Sequence, residues 1–395
     1  MHNRINSGVI YIFTGKRMKE LQNILAQMRE IDSNGAKAVL ATVVDVKGSS
    51  YRLPGAKMLI LETGETFGTV SGGCLEADVL ERAKRVLQTG AAQVFTYDTT
   101  ANEDSVFSLN MGCRGVIRIL LETIERQSIL IRALQTAFEN LERQIIATLI
   151  SADSSLDIPI GGRVFYSEVE QFDFKNLPKF LESSRRLLND CEIFFDENRI
   201  SQTKTYETER GSFEFFFENI KPPVSLVVFG AGADAVPLVS FAKGLGWRVL
   251  IVDHRPAIAT EERFPKADEI IISRPENLDE NLFVSAQTVA VLMTHDYSKD
   301  KEILRQILPL NPVYAGVLGP NRRTETMLQE LAGEGEKFSE EHLQKLYAPV
   351  GLDIGADTPE AIALSIIAEI NAVLSKRDGG FLRDRKGSIY NRNSF

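Results

Sequence analysis

Apolar positions along the chain follow two different rhythms, and Lys221-Pro222-Pro223 separates them. Before that point, Leu21, Ile24, Leu25 and Met28 recur with helical spacing. The unbroken apolar run 38–44 predicts a buried strand. Residues 58–61 and 65–70 predict a hairpin around Glu62-Thr63-Gly64. Leu75, Val79, Ala83, Val86 and Leu87 form the stripe of an amphipathic helix, and 94–97 and 116–121 predict two more strands. Residues 126–222 carry a weaker pattern: a helix to about Leu141, strands at 145–150 and 163–166, a helix near 176–188 and a strand at 213–217. No internal repeat or low-complexity tract is read.

Beyond the boundary, predicted strands at 226–229, 249–252, 269–272, 289–293 and 313–317 alternate with helical stretches. That alternation predicts a parallel sheet covered on both faces. A long helix follows Thr358-Pro359-Glu360, where Thr suits the cap and Pro the first turn. The fold class is therefore α/β, with a Rossmann-like parallel-sheet domain after a mixed α+β module. The expected divisions are an extension 1–17, the module 18–125, an intervening α+β region 126–222, the Rossmann-like domain with its closing helix 223–378, and a tail 379–395.

Composition narrows the partners. The 395 residues carry a net charge of −9 and no basic cluster, which argues against nucleic acid. The apolar run 9–13 is too short for a membrane span and lacks the features of a signal peptide, so a cytoplasmic protein is expected. Three cysteines, Cys74, Cys113 and Cys191, fall in no CxxC spacing, and free thiols are expected.

Gly230-Ala231-Gly232-Ala233-Asp234-Ala235 fits G-x-G-x-x-A between an apolar strand and a helix. Gly230 permits the turn, Gly232 lets backbone approach a phosphate, and Ala235 allows close helix–strand packing. Asp253 follows Gly230 by 23 residues, near the spacing of a ribose-binding carboxylate. Arg255 leaves an additional phosphate open. His254 and Thr294-His295-Asp296 lie on the same predicted rim, as does the Gly316-Val317-Leu318-Gly319-Pro320 turn with Arg322 and Arg323.

Cys74 stands at a predicted helix start behind Ser71, Gly72 and Gly73. A helix N-terminus favours thiolate, hence reactivity and affinity for soft metals, so Cys74 is also the candidate metal ligand. Ser71 or Gly72 as cap leaves neighbouring N–H groups available to an anion. Cys113, between Gly112 and Arg114, is a second candidate, although either thiol could equally be a small buried hydrophobe. Cys191 is read as packing, and Arg52 by charge alone is a surface residue.

These segments resemble a known family. GSSYRLPGAKMLI (48–60) and GTVSGGCLEADV (68–79) are similar to the amino-terminal module of the XdhC/CoxI family, the xanthine dehydrogenase accessory proteins. VVFGAGADAVPLVSFAKGLGWRVLIVDHRPA (227–257), VLMTHDY (291–297), GVLGPNRR (316–323) and APVGLDIGADTPEAIALSIIAEI (348–370) resemble its carboxyl-terminal Rossmann module. The resemblance implies a chaperone with no turnover of its own. It would bind the molybdenum cofactor, as molybdopterin or its dinucleotide form, while a cysteine desulfurase or sulfurtransferase sulfurates it. Delivery to a molybdenum hydroxylase apoenzyme of the xanthine dehydrogenase type follows, and a homodimer is implied. Cysteine is implicated in holding the cofactor, which maps onto Cys74 and Cys113, with Arg52 adding a cation. The family's usual GCGG is here Gly112-Cys113-Arg114-Gly115.

Two competing readings remain at this stage. A Rossmann turn with Asp253 fits an NAD(P)-dependent oxidoreductase, with His295 as proton donor. Cys74 and Cys113 also fit a redox-switchable pair.

Overall fold

The structure, a computed structural model, describes residues 15–48, 50–98, 115–126, 128–169, 172–182, 184–209, 211–276, 278 and 288–386. Expectations placed on residues 1–14, on Gly112-Cys113-Arg114 and on 387–395 lie outside the described residues. The chain divides into two compact units, one spanning Glu20–Pro222 and one from Pro223 onward.

In the amino-terminal unit, α1 (Gly15–Asn34) precedes β1 (Ala38–Gly48), β2 (Lys57–Leu61), β3 (Thr66–Gly68), α2 (Glu76–Thr89), β4 (Gln93–Asp98) and β5 (Gly115–Ile124). These strands form one five-stranded antiparallel sheet in the order β3-β2-β1-β5-β4. The apolar run of β1 is unbroken because both faces of its sheet are covered. Val39, Ala41 and Val43 pack with Val79, Ala83 and Val86 of α2. Ala38 and Leu40 point the other way, into a core with Ile24, Leu25 and Met28 of α1.

Residues 126–222 form a second copy of this sheet. After α3 (Ile129–Glu139) come β6 (Gln144–Ala152), β7 (Arg163–Ser167), β8 (Asp173–Lys175), α4 (Lys179–Glu182), α5 (Arg185–Asp196), β9 (Gln202–Thr208) and β10 (Gly211–Ile220). Their order, β8-β7-β6-β10-β9, repeats the first sheet strand for strand. The registers agree as well: Thr42 pairs with Lys57 as Thr148 pairs with Arg163, and Val44 and Ile150 are the bypassed residues of matching β-bulges. The absence of a repeat, expected from sequence, is thus corrected. Identity survives at scattered positions, among them Ala-Thr at 41–42 and 147–148, Gly55 and Gly161, Gln93 and Gln202, Thr-Tyr at 96–97 and 205–206, Gly115 and Gly211, Glu122 and Glu218, and Ile124 and Ile220, so the duplication is seen in pairing more than in composition.

The copies are held by contacts that exchange places between them. Leu40, Leu59 and Ile124 share one core with their counterparts Ile146, Phe165 and Ile220. Val44 and Leu120 share a smaller one with Ile150 and Phe216. Lys57 of β2 meets Glu218 of β10 at 2.5 Å, and the reciprocal pair, Arg163 of β7 with Glu122 of β5, also lies at 2.5 Å. Arg118 and Glu214, at matching places in β5 and β10, pair with each other at 2.7 Å.

The carboxyl-terminal unit runs β11 (Ser225–Phe229), α6 (Ala235–Gly244), β12 (Arg248–Asp253), β13 (Glu269–Ile272), β14 (Thr288–Leu292), α7 (Tyr297–Ile307), β15 (Tyr314–Val317), α8 (Asn321–Gly333), α9 (Glu340–Gln344), β16 (Leu346–Tyr347) and α10 (Pro359–Leu374). All strands are parallel, in the order β13-β12-β11-β14-β15-β16. Leu238, Val239 and Ala242 of α6 and Ile366 and Ile370 of α10 cover one face. Ile303, Leu304 and Ile307 of α7 with Met327 and Leu331 of α8 cover the other. Thr358 caps α10, its hydroxyl accepting from the Ala361 N–H at 3.2 Å. The order in which strands are added reverses between β11 and β14, the place where open α/β sheets bind ligands. Among the described residues, no helix is long and apolar enough to cross a membrane.

Candidate functional site

In the amino-terminal unit, Gly72, Gly73 and Cys74 form an exposed loop between buried Ser71 and Leu75. Ser71 anchors it: its hydroxyl accepts from the N–H groups of Gly73 (3.2 Å), Cys74 (3.1 Å) and Leu75 (3.1 Å) while donating to Glu76. The Glu76 carboxylate also accepts from the Ser71 N–H at 2.9 Å and the Thr69 hydroxyl at 2.5 Å. Burial pushes the Glu76 carboxyl up, but these hydrogen bonds prevail and hold it below its ordinary value. Two expectations change here. The helix begins at Glu76, so Cys74 lies just ahead of it, and the N–H groups expected to await an anion already serve Ser71.

Arg52 is no surface residue. It is buried, and its guanidinium meets Glu20 of α1 at 2.5 Å. The same Glu20 oxygen accepts from the Thr69 N–H at 3.1 Å, so the pair ties α1 to the loop that carries Cys74. Two buried polar atoms nearby in the chain, Ser50 Oγ and Arg52 Nε, have no hydrogen-bond partner. Cys191 is buried against α5's neighbours, and burial pushes its thiol up to about 12. Cys74 is exposed.

In the carboxyl-terminal unit the glycine turn lies at the switch point. The Gly230 N–H donates to Val252 at 2.9 Å, and its φ of 116° belongs to the region that favours glycine. Buried Ala235 starts α6. Asp253 accepts from the Ala231 N–H at 2.7 Å, and Arg255 grips both its oxygens at 2.9 and 2.7 Å. His254 Nδ1 stands 3.2 Å from the same carboxylate. The residue expected to bind ribose is thus fully engaged in fixing the glycine loop.

Burial raises the Asp253 carboxyl, but Arg255 and the Ala231 N–H outweigh it and bring it down from 3.8 to about 2. A carboxyl lowered on folding stabilises the fold above its free value, and that stability disappears as pH falls through the folded value. Wild type is therefore expected to lose about 2 kcal/mol more than Asp253→Asn between pH 5 and pH 2, in urea unfolding at the two pH values. Equal pH dependence in both proteins would refute the assigned network.

His295 adopts a φ of 61°, and its ring lies over Gly232, 3.8 Å from where a Cβ would stand. Its Nε2 meets Asp234, at the head of α6, at 3.0 Å. Asp296 instead caps α7, accepting from the N–H groups of Ser298 and Lys299. The Ser298 hydroxyl, the Lys299 ammonium and the Lys299 N–H hold its carboxyl far below the usual range. Arg323, expected to meet anions, reaches the fully buried Asp300 at 2.6 Å, whereas Arg322 is exposed. Asp300 also accepts from the Thr294 hydroxyl at 2.7 Å, so one carboxylate joins the rims after β14 and β15.

The structure thus brings Gly230, Gly232, Ala235, Asp253, His254 and His295 together around one turn. Gly72, Gly73, Cys74 and Arg52 belong to the amino-terminal unit. Among the described residues no group of three or more His, Cys, Asp or Glu side chains gathers as a metal-ion site. Sequence reasoning missed Ser71–Glu76, Asp234–His295 and Asp300–Arg323. Asp300 had a signal: it interrupts the apolar face that Ile303, Leu304 and Ile307 continue.

Known proteins resemble this chain. A family model described as the XdhC Rossmann domain matches residues 226–370, and one described as the XdhC and CoxI family matches residues 32–98. A probable xanthine dehydrogenase component from Bacillus subtilis (strain 168) is 32% identical over 336 residues, 85% of this chain and 92% of the relative. The molybdenum cofactor insertion chaperone PaoD of Escherichia coli (strain K12) is 26% identical over 86% of this chain and 84% of its own length. A crystal structure described as a xanthine dehydrogenase from Bacillus halodurans superposes with a TM-score of 0.70 at 27% identity, covering 89% of this chain and 96% of that one.

Proposed function

We propose, from the premise that the chain belongs to the XdhC and CoxI family, that it is an accessory protein of molybdoenzyme maturation. In this reading it binds the molybdenum cofactor, holds it while a sulfurtransferase sulfurates it, and passes it to a xanthine dehydrogenase-type apoenzyme. The name of the relative PaoD supports the insertion role, and that of the B. subtilis relative supports the client. Assembly as a homodimer in the cytoplasm belongs to the same proposal.

The observation that carries the reading is exposed Cys74 on a glycine loop clamped by Ser71 and Glu76. A thiolate suits a soft metal, and a preordered loop presents it with little ordering cost. The orphaned polar atoms of Ser50 and Arg52, on the segment that Arg52 ties to this loop, suit a polar ligand. The cofactor would supply its own redox chemistry; this chain's residues bind it, orient it and limit water access. In the Rossmann unit, taken by itself, the N–H groups at the head of α6 suit an anion such as a phosphate. A nicotinamide site is the weaker reading, because Asp253 is engaged by Arg255 and Ala231 rather than offered to a ribose.

Purification of wild type and Cys74→Ala from a molybdenum-replete host tests this. Metal and oxidised pterin per chain are expected to fall about tenfold or more in the variant, with no nicotinamide in either. Undiminished retention in Cys74→Ala would remove the thiol from the proposal. Nicotinamide without pterin in wild type would overturn the reading as a whole.

A further inference from the structure

Asp253 ends β12, where a Rossmann sheet places the carboxylate that reads a ribose diol. Its side chain is 1% exposed, and four hydrogen bonds reach it. They come from the Ala231 N–H at 2.7 Å, the Arg255 N–H at 2.9 Å, and Arg255 Nε and Nη2 at 2.9 and 2.7 Å. A carboxylate offers about four lone-pair sites, so none is left for a ribose hydroxyl. The usual acceptor is spent.

Arg255 puts donors in its place. Asp253 takes only the Nε and Nη2 side of the guanidinium, and among the described residues Nη1 has no hydrogen-bond partner. The Arg255 side chain is 42% exposed. A guanidinium holds its five N–H donors in one rigid plane, so the side turned away from Asp253 keeps the fork that grips a phosphate through two parallel bonds. This cation is also fastened to the turn. The Asp253 oxygen that accepts from Nη2 accepts from the Ala231 N–H as well, so one buried oxygen holds the guanidinium against the glycine loop. His254 adds its imidazole 3.2 Å from the other oxygen. Two further carboxylates of this rim are already met, Asp234 by His295 at 3.0 Å and Asp296 by Lys299 at 3.0 Å.

We infer that Arg255 sets the specificity of the Rossmann unit for a nucleotide whose ribose carries a phosphate at the 2′ position in place of a free diol. The 5′-phosphate of such a ligand faces the Gly230–Gly232 turn, and its 2′-phosphate faces the unused side of the guanidinium. The inference rests on the reading of this turn as an anion seat and names the class of ligand that it takes. Asp253 becomes a positioning residue, which aims Arg255 and leaves the ribose untouched.

Adenosine 2′,5′-bisphosphate and adenosine 5′-monophosphate differ by that phosphate alone, and they serve as probes in titration calorimetry of the full chain. Wild type is expected to bind the bisphosphate about tenfold or more tightly than the monophosphate. Arg255→Ala should bring the two within about twofold. Arg255→Lys keeps a cation for Asp253 but loses the fork, and should hold the preference below about threefold. Urea midpoints identify any loss of fold, and where Arg255→Ala unfolds early the lysine variant decides. Equal binding of the two probes by wild type overturns the inference, as does tighter binding of the monophosphate or binding of neither. A preference undiminished in the folded variants overturns it too. Failure here leaves the cofactor reading standing, since that is measured by molybdenum and pterin retention in Cys74→Ala. Loss of that reading leaves the probe preference to be judged by itself.

Discussion

Glu218→Ala is expected to destabilise the amino-terminal unit by about 3–5 kcal/mol, because it strands a buried lysine. Lys57 is 3% exposed at its side chain and Glu218 10%. Neither charge has enough water to compensate for the loss of the other. The pair also crosses between the two sheets, with Lys57 on β2 of the first and Glu218 on β10 of the second. The mirrored pair, Arg163 with Glu122, predicts a loss of similar size for Glu122→Ala. Replacing both partners by apolar residues, as in Lys57→Met with Glu218→Leu, should recover most of the loss, since a buried ion pair seldom exceeds a well-packed apolar pair in net stability. Urea unfolding of the single and double variants measures this. A loss below about 1 kcal/mol for Glu218→Ala would mean the stranded lysine finds water, and the junction is looser than described.

The duplicated sheet explains why the sequence was legible in some places and opaque in others. Strand positions were recoverable wherever an apolar run stood between turn residues, as in β1, β6 and the strands of the parallel sheet. Three strands were not foreseen: β8, β9 and β16. Residues Gln202–Thr208 set one aromatic, Tyr206, among Gln, Lys, Glu and Thr, so β9, at the edge of its sheet, has no apolar run to betray it. The two-residue β16 is too short for any period. The repeat itself was hidden because the identities that survive between the copies are scattered, and pairing register, bulge position and sheet order are not written in residue identity.

The candidate site divides the same way. Gly230, Cys74 and Asp253 were visible because their chemistry follows from residue type and spacing. Their partners were not, because those depend on side-chain direction. Asp253 has the spacing of a ribose ligand, yet it turns to Ala231 and Arg255. Arg52 carries the charge expected of a surface residue, but the α1 carboxylate of Glu20 draws it inward. The second copy of the sheet sharpens the contrast. Where the first has Ser71-Gly72-Gly73-Cys74 between β3 and α2, the second has Asn176-Leu177-Pro178 after β8 and no cysteine there. One scaffold was kept twice, and the exposed thiol of this loop belongs to the first copy.

The glycine turn of the carboxyl-terminal unit yields a prediction in which two neighbouring glycines behave differently. Gly230→Ala is expected to destabilise that unit by about 3 kcal/mol or more. Two separate costs add. A φ of 116° is open to glycine and strained for alanine. A Cβ at that position would also lie 2.6 Å from the Met293 carbonyl oxygen and 2.8 Å from its carbon. Those atoms are main chain at the end of β14, so no rotamer change relieves the clash; the strands must part where the strand order reverses. Separation there would pull the Ala231 N–H from Asp253 and shift the Thr294-His295 rim. Gly232→Ala meets neither objection, since its Cβ would sit 3.8 Å from the His295 ring with room to spare. It should unfold within about 0.5 kcal/mol of wild type, while its added methyl crowds the approach of a phosphate to the backbone. Unfolding of both variants, with phosphate-ester binding measured beside it, separates a glycine needed for the turn from one needed for the ligand. Gly230→Ala as stable as Gly232→Ala would show that β11 and β14 do not approach as closely as this turn requires.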